Sequence, residues 1–236
     1  MLKAEQLYEG KAKRVYATDV ENCYWISYKD DATAFNGLKK GTIGGKGSIN
    51  NRMSAILFEM LERNGVPTHF VKLLSDTEML VKQVKIVPLE VIVRNYTAGS
   101  MSKRLGVDEG IKIAAPILEF SYKDDELGDP LINDDHALFL QAATAAELET
   151  IKTLARKINQ LLTDYMYERE IILVDFKLEF GKTVDGQIIL ADEISPDTCR
   201  LWDKTTKRKL DKDRFRRDLG DVEETYREVF DRVQTR

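Results

Sequence analysis

The chain has 236 residues, 43% hydrophobic and 32% charged, enough for one globular unit with a large core and room for two lobes around a cleft, which excludes disorder as a class. A net charge of −4 argues against a nucleic-acid binder that works by neutralising phosphates. Two cysteines, Cys23 and Cys199, cannot build a disulfide framework, and no run has the apolar length of a membrane span or signal-peptide core, so the expectation is a cytoplasmic protein with neither membrane nor nucleic acid as partner.

In chain order, residues 13–17 and 23–28 are rich in β-branched and aromatic side chains and read as strands. A helix follows over 48–64, with Met53, Ile56, Leu57, Met60 and Leu61 on one stripe and Gly65 past its end. Residues 70–74 and 78–83 close a small sheet. Residues 84–88 cross to a second part, because Pro88 cannot donate to a ladder and fits a crossover better than a central strand. The spacing thus predicts two lobes, 1–84 and 85–236. The larger begins with a strand at 89–95, ends it in a polar turn at 97–100, and carries an acidic surface loop over 124–135. The clearest helix spans 145–168, with Thr144 as N-cap, and a last amphipathic helix runs from 219 to 233.

The most informative segment is Ile171 to Phe180. On a strand, Asp175, Lys177 and Glu179 share one face, while Val174, Phe176, Leu178 and Phe180 line the other. Asp185-Gly186 then turns the chain into a second strand that delivers Asp192 and Glu193. Carboxylates gathered from both strands suit magnesium, a hard cation that prefers oxygen ligands and phosphates.

Other residues can bind anions. Gly10-Lys11-Ala12-Lys13 precedes a strand and offers backbone and ammonium groups to a polyphosphate, although a Lys-x-Lys pair on an edge strand is also a common solubility device. Gly44-Gly45-Lys46-Gly47-Ser48 fails the P-loop spacing, but precedes a helix and reads equally as an anion clamp or a plain glycine-rich loop. Arg94 with Thr97, Gly99 and Ser100 suits a carboxylate or a monophosphate. Arg200 follows the acidic hairpin and can reach the same cleft, unless Asp197 or Asp203 pairs with it. His69 and His136 have no sequence partner for a triad or metal site, and Cys199 has no general base beside it.

Three blocks in this order, residues 8–13, 87–100 and 173–181, together with Ser195-Pro196-Asp197 and Arg200-Leu201-Trp202-Asp203, resemble SAICAR synthetases over essentially the whole chain. The resemblance implies an α+β, two-lobed fold related to ATP-grasp, with a small β-rich lobe, a larger mixed lobe and ATP in the cleft. It implies an ATP-dependent ligase that joins carboxyaminoimidazole ribonucleotide (CAIR) to L-aspartate, giving SAICAR, ADP and phosphate in purine biosynthesis, in a homodimer. By resemblance, Gly10, Lys11, Ala12, Lys13 and Lys82 bind ATP, and Glu179 and Asp192 carry Mg2+. Lys177 stabilises the transferring phosphoryl group, Asp175 orients the nucleotide substrate or its metal, and Arg94, Ser100 and Arg200 hold the substrate's anionic ends. Asn36 and Cys199 occupy positions where family members vary. The alternatives are a small-molecule kinase, which has no use for the additional anion sites, and a non-catalytic ATP-binding regulator, which needs no set such as Lys177, Glu179 and Asp192.

Overall fold

The computed structural model describes residues 1–34 and 37–235; the position of Asn36 lies outside them. In chain order the elements are β1 Lys3–Glu9, β2 Lys13–Thr18, β3 Cys23–Tyr28, β4 Asp31–Ala34, β5 Lys39–Thr42, α1 Lys46–Arg63, β6 Phe70–Ser75 and β7 Glu78–Lys82. They continue with β8 Lys85–Tyr96, α2 Gly99–Leu105, β9 Lys112–Tyr122, β10 Leu131–Ile132, α3 Asp134–Phe139, α4 Ala145–Tyr167, β11 Ile171–Lys182, β12 Ile188–Ala191, β13 Cys199–Asp203, α5 Asp213–Arg216 and α6 Val222–Gln234. The fold is two-lobed α+β. One sheet has the antiparallel order β1-β2-β3-β7-β6; a second runs β10-β9-β8-β11-β12, with β13 pairing the N-terminal half of β11, and β4 and β5 form a small third.

Local chemistry explains two of the helix starts. Thr144 and Glu147 form a reciprocal capping box that starts α4. His136 closes a similar box with Asn133 at α3. α4 lays its apolar stripe, including Leu148, Ile151, Ile158 and Leu162, on β11 and β8. α1 packs against β6 on one side and α6 on another, so one continuous core joins both sheets. Burying these side chains contributes about 1.5–3 kcal/mol for each large aliphatic or aromatic one.

Three expectations need correction. Pro88 lies inside β8, a central strand, rather than in a crossover. The ladder with β11 slips between the pairs Glu179↔Glu90 and Gly181↔Ile86, and this bulge lets proline sit where no ladder donor is required. Gly99 and Ser100 begin α2 instead of forming a turn, with Gly99 at φ +57°. Val174 does not share a face with Phe176. A bulge between Leu173 and Asp175 shifts the alternation, so Val174 packs with Ile172, Trp202 and Ala98 in a separate small cluster while Leu173, Phe176, Leu178 and Phe180 enter the main core. Smaller differences are that α6 begins at Val222, preceded by α5, and that the acidic loop contains β10 and the start of α3.

Candidate active site

A cleft of about 770 Å3 lies between the two larger sheets, and all twelve residues to which the resemblance gives a role line it: Gly10, Lys11, Ala12 and Lys13, then Lys82, Arg94 and Ser100, then Asp175, Lys177, Glu179, Asp192 and Arg200. The first four form the tip of the β1–β2 hairpin, where Glu9 pairs with Arg14 and the Gly10 N–H donates to the Lys13 carbonyl at 2.8 Å. Apolar side chains including Val15, Ile26, Val81 and Ile86 complete one end, a setting for a flat base. Gly181 is needed beside the link between β7 and β8, because a Cβ there would lie 2.4 Å from the Val84 side chain. Lys82, at the end of β7, places its ammonium 2.9 Å from the Thr68 carbonyl.

At the centre, lysines and carboxylates alternate. Lys177 donates to Glu90 Oε1 at 2.9 Å and Glu179 Oε1 at 2.8 Å, and Lys123 donates to the same Glu179 oxygen at 2.8 Å. Lys13 binds Asp192 and lies 3.1 Å from Glu193 Oε1. Burial opposes these charges, but the partners outweigh it: Asp192, beside Lys13 and Lys177, is held well below the usual carboxylate range, and Lys177, beside Glu179, Asp192 and Glu90, is held well above the usual ammonium range. The strand register brings the carboxylates together, since Glu179 is the cross-strand partner of Ala191, which precedes Asp192. Among the described residues no group of three or more His, Cys, Asp or Glu is arranged to hold a metal ion. A pair of carboxylates, Glu179 and Asp192, fits Mg2+, which keeps waters and takes substrate phosphates for its remaining ligands.

Further along the same face lies a second cationic group. Asp175 on β11 is the cross-strand partner of Arg94 on β8 and of Arg200 on β13. Its Oδ2 accepts from Arg94 Nη1 at 2.8 Å and Arg200 Nη1 at 2.9 Å, and its Oδ1 accepts from Arg200 Nη1 at 3.1 Å. Arg200 pairs with Asp175 and Asp213, not with Asp197 or Asp203. Arg94 Nη2 is 3.5 Å from Ser100 Oγ. Cys199 is buried at this end, and burial pushes its thiol up, which makes it a poor nucleophile.

The second glycine run is not an anion clamp. Its amides are already used by the chain's own carboxylates: Gly44 N donates to Glu223 at 2.7 Å, and Gly45 N and Gly47 N donate to the two oxygens of Asp30 at 3.1 and 2.8 Å. Lys46 is fully buried and donates to Asp197 Oδ2 at 2.9 Å, while Tyr226 donates to Asp197 Oδ1 at 2.7 Å.

Sequence reasoning missed Glu90, Lys123, Asp125 and His69 as lining residues. Glu90 was legible, lying on alternate positions with Ile92 and Arg94. Lys123 and Asp125 sit where a strand passes into a loop and carry no period. Asp125 meets Lys11 across the cleft at 2.7 Å. His69 is buried against Phe58 with Nε2 unpartnered among the described residues, and burial holds its imidazole down to about 3.

The family model for SAICAR synthetase matches residues 6–233. The phosphoribosylaminoimidazole-succinocarboxamide synthase of Caldanaerobacter subterraneus subsp. tengcongensis is 64% identical over 99% of both chains. The crystal structure of the synthase of that name from Ehrlichia chaffeensis superposes with a TM-score of 0.95 at 48% identity, covering 97% of this chain and 98% of the other. A SAICAR synthetase solved in complex with ADP gives 0.94 at 49% identity, covering 96% and 97%. Matches of this length and closeness mean that the chain belongs to the SAICAR synthetase family.

Proposed function

We propose that the chain is the ATP-dependent ligase that condenses CAIR with L-aspartate to give SAICAR, ADP and phosphate in de novo purine biosynthesis. The observation that carries this reading is the presence in one cleft of two separate sets: lysines and carboxylates suited to phosphoryl transfer, and an arginine pair suited to a second anion. In the proposed arrangement residues 1–84 cover the nucleotide and residues 85–236 carry the substrate and magnesium sites.

A carboxylate resists attack by an amine because its charge and resonance lower the electrophilicity of carbon. Transfer of the γ-phosphoryl group to a CAIR carboxylate oxygen releases ADP and leaves an acyl phosphate. The aspartate amine then attacks the carbonyl carbon, phosphate departs with the electrons of the C–O bond, and the nitrogen loses one proton. Positioning and charge neutralisation dominate such a reaction. The hairpin-tip residues Gly10, Lys11, Ala12 and Lys13 hold the ATP phosphates, with Lys82 near the nucleotide at the hinge. Glu179 and Asp192 would hold Mg2+, which supplies charge neutralisation to the phosphates. Lys177 lies between Glu90 and Glu179 and is the cation available to the moving phosphoryl group. Arg94, Ser100 and Arg200 bind the substrate's ribose phosphate or carboxylate, and Asp175 orients that site through the two guanidiniums.

We further propose a cytoplasmic homodimer; two free thiols fit a reducing compartment. The test is ADP release by the purified protein with ATP and magnesium, adding CAIR and L-aspartate singly and then together. Turnover only with the complete set is expected. Turnover with CAIR alone would favour a kinase, and none under any condition would favour a nucleotide-binding regulator.

A further inference from the structure

The two arginines of the anion site are held in matching fashion. Arg94 gives Nη1 to Asp175 and Nε to Glu119 Oε2 at 2.7 Å; Arg200 gives Nη1 to Asp175 and Nε to Asp213 Oδ2 at 3.1 Å. Each outer carboxylate takes a further guanidinium on its other oxygen, Arg104 at Glu119 and Arg216 at Asp213, the latter at 2.8 Å. Arg217, which pairs with Glu109, also approaches Asp213 Oδ2 at 3.6 Å, so the guanidiniums outnumber the carboxylates they meet and leave net positive charge for an incoming anion.

What these contacts leave over is informative. In both arginines Nη2 is outside the three carboxylates, and both Nη2 groups reach the start of α2. That of Arg94 lies 3.5 Å from Ser100 Oγ, and that of Arg200 would be 2.3 Å from a Cβ on Gly99. Gly99 therefore makes room for a guanidinium, not only for a positive φ. A guanidinium on a flexible chain loses rotamer freedom when it binds an anion; one already pinned through Nε and Nη1 has lost it beforehand.

We infer that Glu119 and Asp213, which do not belong to the anion-binding set itself, are positioning residues that lock Arg94 and Arg200 so that two Nη2 donors face one phosphate or carboxylate of the substrate. The inference rests on the reading of Arg94 and Arg200 as substrate-binding residues. Asp213 is 1% exposed, and its neighbour Asp211 accepts the Asp213 N–H at 2.7 Å and the Leu201 N–H at 2.8 Å, so the α5 arm is itself held against β13.

The experiment is steady-state kinetics with CAIR as the varied substrate. E119Q and D213N should each raise the KM for CAIR about tenfold, with the KM for ATP and kcat within about threefold of the parent. D213E, which keeps the charge, should recover part of the loss. In an R200A background D213N should add no further increase, because its effect passes through the missing guanidinium. If R200A raises the KM for CAIR while E119Q and D213N leave it unchanged, the positioning role is overturned and the site reading stands. A D213N effect that adds in full to R200A would also overturn it. An unchanged KM for CAIR in R200A would overturn the site reading and the inference together. Should D213N fail to fold, E119Q on the other arm decides the question.

Discussion

Two glycine–lysine runs, Gly10 to Lys13 and Gly44 to Ser48, look alike as strings and end in different surroundings. The first is a hairpin tip whose two lysines line the cleft and meet carboxylates on the opposite wall. The second is sewn shut: Asp30 and Glu223 take its amides, and Lys46 lies fully buried on Asp197. Both runs have the composition that binds phosphate. What separates them is where the fold leaves them: the first run lines the cleft, with room for another molecule's anion, and the second does not. A buried lysine with a single strong partner is part of the structure; a cleft lysine shared among several carboxylates can change partners.

This contrast can be broken at four points. The largest effect is expected in the cleft: Lys177→Ala should lower turnover about 10³-fold, with a thermal midpoint within about 3 °C of the parent, since the side chain serves charge development more than packing. Full activity would remove Lys177 from the reaction, and unfolding would erase its distinction from Lys46. Lys46→Met should do the reverse. Leaving Asp197 with a weakened set of partners should destabilise the protein by about 3 kcal/mol in denaturant unfolding, and a stability unchanged from the parent would place Lys46 with the cleft lysines. Asp30→Ala removes two acceptors from the start of α1 and should cost about 1–2 kcal/mol by the same measurement. Inorganic phosphate should not restore the loss, because the backbone there closes around a carboxylate of the chain.

The smallest effect calibrates the others at a capping carboxylate close to solvent. The Lys182 ammonium, and then the Thr144 amide, hold the Glu147 carboxyl down to about 2 from its ordinary 4.5. A depressed acid contributes stability that is fully present above its unfolded pKa and is lost as pH falls through the folded one. Glu147→Gln should therefore cost about 0.5 kcal/mol at pH 7, after solvent screening. The difference from the parent should disappear as pH falls from 4.5 towards 2, as followed by unfolding across that range. A difference that persists at pH 2 would mean that the cap acts by shape rather than by charge.

Much of the fold was legible because local rules decide it. The period of 3.6 in α4 and its Thr144–Glu147 box left little choice, and β2, β3, β6 and β7 fall within one or two residues of expectation. The misreadings at Pro88 and Val174 both lie at bulges: at Val174 one additional residue on β11 resets the period of two, and at Pro88 two additional residues on β8 release the proline from the ladder with β11. A pattern of alternation cannot reveal a bulge, because the bulge exists only relative to the partner strand. At the cleft, the residues spaced on β11 and at its hairpin partner were visible as chemistry. Lys123, Asp125 and Asp213 were not, since each takes its meaning from a group more than ten residues away in the chain.

The order of residues by itself determined which side chains could do chemistry: the alternating Asp175, Lys177 and Glu179, the lysines after Gly10, and the arginines at 94 and 200, because strand period and charge are properties of neighbours. Only the tertiary structure decided which of those charges are spent on one another. It placed Asp175 between two arginines on adjacent strands, buried Lys46 on Asp197, and brought the Lys13 hairpin over Asp192. The physical reason is that an ion pair depends on distance and burial, and both are set by how sheets and helices pack rather than by spacing along the chain.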